Sequence, residues 1–213
     1  MKAYYIVFLL ILFSACICKA APEPAVVQGA EEWTLDMKFE HLGHISVPTE
    51  LIKMKGQRDF WYLILSITNN TGREVGFYPN CELMTDTFQI VPAGNDVPSI
   101  VFQRIKERHE KQYPFLESLE NTDDKVLQGK DNTKDIAVIF SDFDHKAKNI
   151  KLFIAGLSNE TAVVEHPVKT DENGQPVKVF LRKTLEINYS LGGDPDFRAQ
   201  QKLTFKKTKW VMR

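Results

Sequence analysis

The apolar positions of this chain alternate. In WTLDMKFE (33–40), Trp33, Leu35, Met37 and Phe39 share one parity, and Thr34, Asp36, Lys38 and Glu40 take the other. That is the pattern of a strand with one buried face. FWYLILSIT (60–68) departs from it. Trp61, Leu63, Leu65 and Ile67 form one face, Phe60, Tyr62 and Ile64 the other, and only Ser66 and Thr68 relieve the second. A strand apolar on both sides belongs in the middle of a sheet, covered above and below. Asn69-Asn70-Thr71-Gly72 then signals a tight turn, with 73–78 as the returning strand.

Further strands are expected at 87–91, 135–140, 149–155 and 161–167, and Asp171-Glu172-Asn173-Gly174 reads as a hairpin turn. The most regular stretch follows. In PVKVFLRKTLEINYSL, Val177, Val179, Leu181, Leu185, Ile187, Tyr189 and Leu191 share one face, interrupted by Lys183. At ~3.3 Å per residue such a strand would span ~50 Å, so a bend or bulge is expected near 182–184, where the chain would pass from one sheet to the other. In KLTFKKTKWVMR, Leu203 and Phe205 differ in parity from Trp210 and Met212. Either a bulge near 206–208 restores a single face, or the end of the strand is buried on both sides.

One segment breaks the period. In PSIVFQRIKERHEKQ (98–112), Val101, Ile105 and His109 recur at helical spacing with Phe102 beside them, and charges of both signs fill the rest. Asp96 is placed to cap this helix, Pro98 suits its first turn and Pro114 stops it. Eight or nine strands with one helical insertion, about 98–119, indicate an all-β, two-sheet sandwich over residues 31–213.

The N-terminus adds a compartment. Lys2 precedes an apolar run over 3–13 and then small residues, the layout of a secretory signal peptide over 1–20. Two processing sites compete. Cys18-Lys19-Ala20 before Ala21 suits ordinary cleavage; Phe13-Ser14-Ala15-Cys16 resembles a lipobox, with Cys16 lipidated, although Phe13 stands where Leu is usual. Residues 21–30 read as a tether in either case. The expected location is therefore periplasmic or membrane-anchored as a lipoprotein, with membrane contact only through a lipid or an uncleaved leader.

The 213 residues include 27 Lys+Arg and 28 Asp+Glu, and loss of Lys2 and Lys19 with the leader moves the formal net charge from −1 to −3. That balance argues against nucleic acid as a partner. Past the leader Cys81 is the sole cysteine, so no intrachain disulfide framework exists there.

The passages FWYLILSITNNTGREVGFYP, KVLQGKDNTKDIAVIF, NIKLFIAGLSNET, LRKTLEINYSLGGDP and KKTKWVMR together resemble exported bacterial proteins with an immunoglobulin-like sandwich and no assigned function. The resemblance covers about 33–213 and implies a fold and a compartment. It transfers no site residues and no cofactor.

Motifs for chemistry are sparse. His41 and His44, three apart, with Met37 upstream, are residue types suited to copper. The spacing lacks the carboxylate of the zinc-protease motif. Asp142, Asp144 and His145 make an acidic loop without the full calcium signature. There is no Gly-x-Ser-x-Gly elbow and no phosphate loop. Asn69, Asn159 and Asn188 stand in Asn-x-Ser/Thr sequences. The resulting expectation is a non-enzymatic envelope module without cofactor that binds protein partners, its oligomeric state left open. The insertion, with Arg104, Arg108 and His109, is a candidate contact surface. The alternative is a periplasmic metal-binding protein using His41, His44 and Met37.

Overall fold

In a computed structural model, residues 25–27, 31–48, 57–193 and 202–213 are described. The leader, both cleavage sites and Cys16 lie outside them. In chain order the elements begin with β1 (Ala25–Val27), β2 (Asp36–Phe39), β3 (Gly43–Pro48), β4 (Gln57–Thr68), β5 (Val75–Gly76), β6 (Asn80–Thr85) and β7 (Ile90–Pro92). The helix α1 (Ser99–His109) follows, then β8 (Glu117–Ser118), β9 (Lys125–Val126), β10 (Lys134–Ser141), β11 (Asn149–Ala155), β12 (Thr161–Thr170), β13 (Pro176–Gly192) and β14 (Lys202–Met212).

The two-faced strand organises the whole. In β4, Trp61, Leu63, Leu65 and Ile67 point into a core shared with the long sheet, against Leu83 and Cys81 of β6, Leu152 of β11 and Ile187 of β13. Phe60, Tyr62 and Ile64 point the other way, into a second core closed by Val101 and Ile105 of α1. Burying one such side chain fully contributes about 1.5–3 kcal/mol relative to leaving it exposed. The sheet that contains β4 runs β2-β4-β10-β8, with β3 continuing the β2 edge; the seven-stranded sheet runs β1-β12-β13-β11-β6-β7, with β14 on β13. The two pack face to face as an all-β sandwich, and α1 covers the outer face of the shorter sheet.

Several expectations change. The Asn-Asn-Thr-Gly turn does not make a hairpin: β5 pairs with β9, not with β4. Asn69 is the reason. Its fully buried side chain donates to the carbonyls of Arg73 (2.7 Å) and Val126 (2.8 Å), drawing in a third segment. Phe88 takes a left-handed φ of 66°, so the expected strand at 87–91 starts only at Ile90. Asp96 is likewise left-handed (φ 55°) and cannot cap α1, whose N-cap is Pro98. The anticipated tether is in part a strand, since β1 pairs with β12.

β13 does not cross between sheets. It stays in one sheet and changes partner, pairing with β12 up to Arg182 and with β11 from Leu185. The parity conflict in β14 is resolved by a bulge. Lys207 pairs with Asn188 and Phe205 with Tyr189, leaving Lys206 as the extra residue. Leu203, Phe205, Trp210 and Met212 thereby share the face of Leu185, Ile187 and Tyr189.

Gly156 fixes the link between β11 and β12. Its φ is 91°, and a Cβ there would stand 2.6 Å from the Tyr78 carbonyl oxygen and 2.9 Å from Pro79 Cα. Gly174 has a φ of 75° but open space around it. G156A therefore suffers strain and a backbone clash and loses about 2–4 kcal/mol in denaturant unfolding, whereas G174A loses only the conformational part, about 1 kcal/mol. Equal losses would show that the contact with Tyr78 is not what demands the glycine.

Candidate functional site

Three places concentrate polar side chains. The first lies beneath the end of α1. Arg108 Nη1 donates to the His44 carbonyl (3.1 Å) and to Tyr62 Oη (3.3 Å), and His109 Nε2 lies 2.9 Å from the same Oη. A guanidinium only donates. Tyr62 Oη therefore accepts from Arg108, and the imidazole tautomer sets which way its bond to His109 Nε2 runs. Burial and the neighbouring Arg108 cation hold His109 below the usual histidine range, while Glu40 opposes them. Glu40 in turn accepts from Tyr113 Oη (2.7 Å) and Gln112 Nε2 (3.1 Å), and the Tyr113 phenol is pushed up to about 12 by burial and by Glu40.

This cluster is a clamp. It fastens α1 and the following turn to β3, β4 and the β2–β3 loop, over the second core. Of the expected contact residues, Arg108 and His109 are engaged in it. Only Arg104 stays outward, 3.6 Å from Glu107.

The second place holds the histidines after β2. His41 packs its ring 4.9 Å from Phe205 and sets Nδ1 3.4 Å from Tyr189 Oη, which also accepts from the Leu42 amide (3.3 Å). His44 has other neighbours. Its ring stands 4.9 Å from Trp61, and its Nε2 lies 3.2 Å from Asp59 Oδ1 without a hydrogen bond between them. Met37 packs half-buried against the main core. Among the described residues, no three His, Cys, Asp or Glu side chains converge as a metal site. In the acidic loop, Asp142 accepts from Trp61 Nε1 (2.9 Å) and Asp144 from the Lys146 amide (2.9 Å). Cys81 is buried between the sheets, and desolvation, with Glu82 nearby, pushes its thiol up to about 12.

The third place is a cleft of about 280 Å³ at one end of the sandwich, lined by Trp33, Tyr78, Ser158, Asn159, Glu160 and Arg182 among others. Its rim is rigid. Asn159 Oδ1 accepts from the Trp33 amide (2.7 Å), and the Trp33 carbonyl accepts from Ser158 Oγ (2.8 Å). Glu160 is paired with Lys183 and accepts from Thr34 Oγ1 (3.1 Å), which holds its carboxyl below the usual range. Tyr78 is 70 % exposed. Arg182 also borders a neighbouring hollow with Phe153, Phe180 and Arg213. There Arg213 binds Glu82 (2.7 Å) and covers the Phe153 ring (4.1 Å), while no carboxylate among the described residues pairs with Arg182. The sequence reading passed over this cleft, because its residues come from four separate segments. The one local trace was the glycine directly after β11.

Comparison with protein-family models, with curated proteins and with solved structures gives no match.

Two solution properties follow from these environments. An unfolded histidine titrates near ~6.5, and folding lowers His109. Its contribution to stability is complete above that pH and is lost as pH falls through the folded value. The urea midpoint of H109Q, measured from pH 8 to 5, should therefore drop less on acidification than that of the parent; parallel curves would remove His109 from the clamp. Native Cys81 should resist alkylation by iodoacetamide at pH 8 and react at once in denaturant; rapid native labelling would contradict its burial.

Proposed function

We propose that this chain is a non-enzymatic, exported binding module of the bacterial envelope, built on an immunoglobulin-like sandwich, and that it recognises its partner in the cleft of Trp33, Tyr78, Asn159 and Arg182. The leader-like N-terminus and the resemblance to exported sandwich proteins support the compartment. The observation that carries the binding role is the guanidinium of Arg182, unopposed by a carboxylate among the described residues and lining a concavity together with the exposed phenol ring of Tyr78. Arginine and tyrosine lining a cleft are the residue types on which binding energy concentrates.

The test joins compartment to contact. A reporter active only outside the cytoplasm, fused after Arg213, should be active in cells. A photo-crosslinking residue at Tyr78 should give a discrete envelope adduct that R182A weakens at least tenfold while the melting temperature stays within a few degrees. A silent reporter would refute export, and an adduct indifferent to R182A would refute the cleft.

A further inference from the structure

The cleft of Tyr78 and Arg182 has a neighbour. Trp33, half-buried, lines that cleft and also a second hollow, whose walls include Glu31, Glu32, Asp36 and Arg73. Trp33 is therefore the partition between the two. Its main chain is firmly held. The Trp33 amide donates to Asn159 Oδ1 (2.7 Å), and its carbonyl accepts from Ser158 Oγ (2.8 Å) and from the Asn159 amide (3.2 Å). Asn159 Nδ2 donates to the Glu31 carbonyl (3.0 Å). Asn159 thus ties the segment 31–33 to the rim of the cleft and fixes the two hollows relative to each other.

The charges on the two sides differ in sign. In the second hollow three carboxylates stand against one guanidinium, a formal charge of −2. Arg73 is bound to Glu31. Asp36 accepts from Asn70 Nδ2 (2.6 Å), a neutral donor that leaves the carboxylate charge in place. Glu32 is exposed, and no cationic side chain among the described residues pairs with it. In the cleft the Glu160 charge is matched by Lys183, which leaves Arg182 as the uncompensated group. Gly76 seats the exposed Tyr78 ring beside it. A Cβ at Gly76 would stand 3.2 Å from Tyr78 Cε2, so the ring lies against bare backbone.

We propose that the two hollows form one groove for an extended peptide segment of the partner, with a basic side chain beside Glu32 and Asp36, an apolar one over Trp33 and an acidic one on Arg182. This rests on the cleft as the contact site and names what enters it.

An extended segment turns every second side chain to the same face, at ~3.3 Å per residue. The three contacts therefore fall on alternate residues of the partner, ~13 Å from the first to the last. A guanidinium takes a carboxylate through two parallel bonds. Opposite charges matched across an interface steer the encounter and fix its register. A ligand with acidic groups alone, such as an acidic saccharide, would satisfy Arg182 and meet repulsion from Glu31, Glu32 and Asp36. A segment with charges of both signs, separated by an apolar side chain, satisfies the whole groove.

The test uses the purified full chain and fluorescein-labelled nonapeptides, read by anisotropy at low ionic strength, where exposed charges are least screened. GSRSLSEGS and its reverse, GSESLSRGS, cover the two directions in which the segment can lie. One of them should bind, and changing its Arg or its Glu to Gln should weaken binding at least threefold. E32Q should reduce the preference for Arg, and R182A should abolish the preference for Glu, with melting temperatures within a few degrees of the parent. GSSRLESGS, whose apolar residue turns away from the charges, should bind at least threefold more weakly than the better nonapeptide. Binding no tighter than that of the neutral GSQSLSQGS, preferences untouched by E32Q and R182A, or tighter binding of a polygalacturonate fragment would overturn the proposal. If the Tyr78 adduct still weakens with R182A, such a result removes the peptide and leaves the cleft; an adduct indifferent to R182A removes both.

Discussion

Burial of β4 on both faces is the constraint on which the rest depends. A strand that turns Trp61, Leu63 and Leu65 to one side and Phe60, Tyr62 and Ile64 to the other cannot stand at a solvent surface. It needs a sheet above and a cover below. The seven-stranded sheet meets the first need. The insertion meets the second, which explains the presence of the amphipathic helix α1 in a β protein. Val101 and Ile105 are the helix's contribution to that second core.

Covering a sheet with a helix brings a polar problem, because Tyr62 reaches its hydroxyl to the margin of the second core. Arg108, His109 and the Gln112–Tyr113–Glu40 set answer it, Arg108 donating to the Tyr62 hydroxyl and Tyr113 to Glu40. The same economy holds for Asn69, whose amide closes three segments at the end of β4 and leaves its nitrogen no room for a glycan. Polar side chains that look available in the sequence are, in these two places, fasteners. What stays open among the described residues is elsewhere: a cleft rimmed by Trp33, Tyr78 and Arg182 at one end, where the β12–β13 ribbon begins.

Those two features share one origin. β13 is a single strand that changes neighbour, leaving β11 for β12 where Gly156 lets the chain step around Tyr78. The step opens the cleft, and β12 and β13 run on beyond it paired with each other.

Much of this was legible from residue order alone. Period two located the strands, the absence of polar relief in FWYLILSIT placed that strand between two layers, and the parity conflict between Phe205 and Trp210 pointed to the bulge found at Lys206. These are local properties, because side-chain alternation is built into the backbone of each strand. Which strand pairs with which was not legible. Asn-Asn-Thr-Gly has the chemistry of a hairpin, yet a buried amide recruits Val126 from more than fifty residues away. The regular face of β13 promised a core along its whole length, and only the extent of the opposing sheet decided that Val177 and Val179 would lie beyond it. The site followed the same division. His109 was visible at its helical spacing, but its partner Tyr62 and the cleft around Arg182 exist only where distant segments meet. Pattern within a segment is set by the segment, whereas contact between segments is set by the packing of the whole chain.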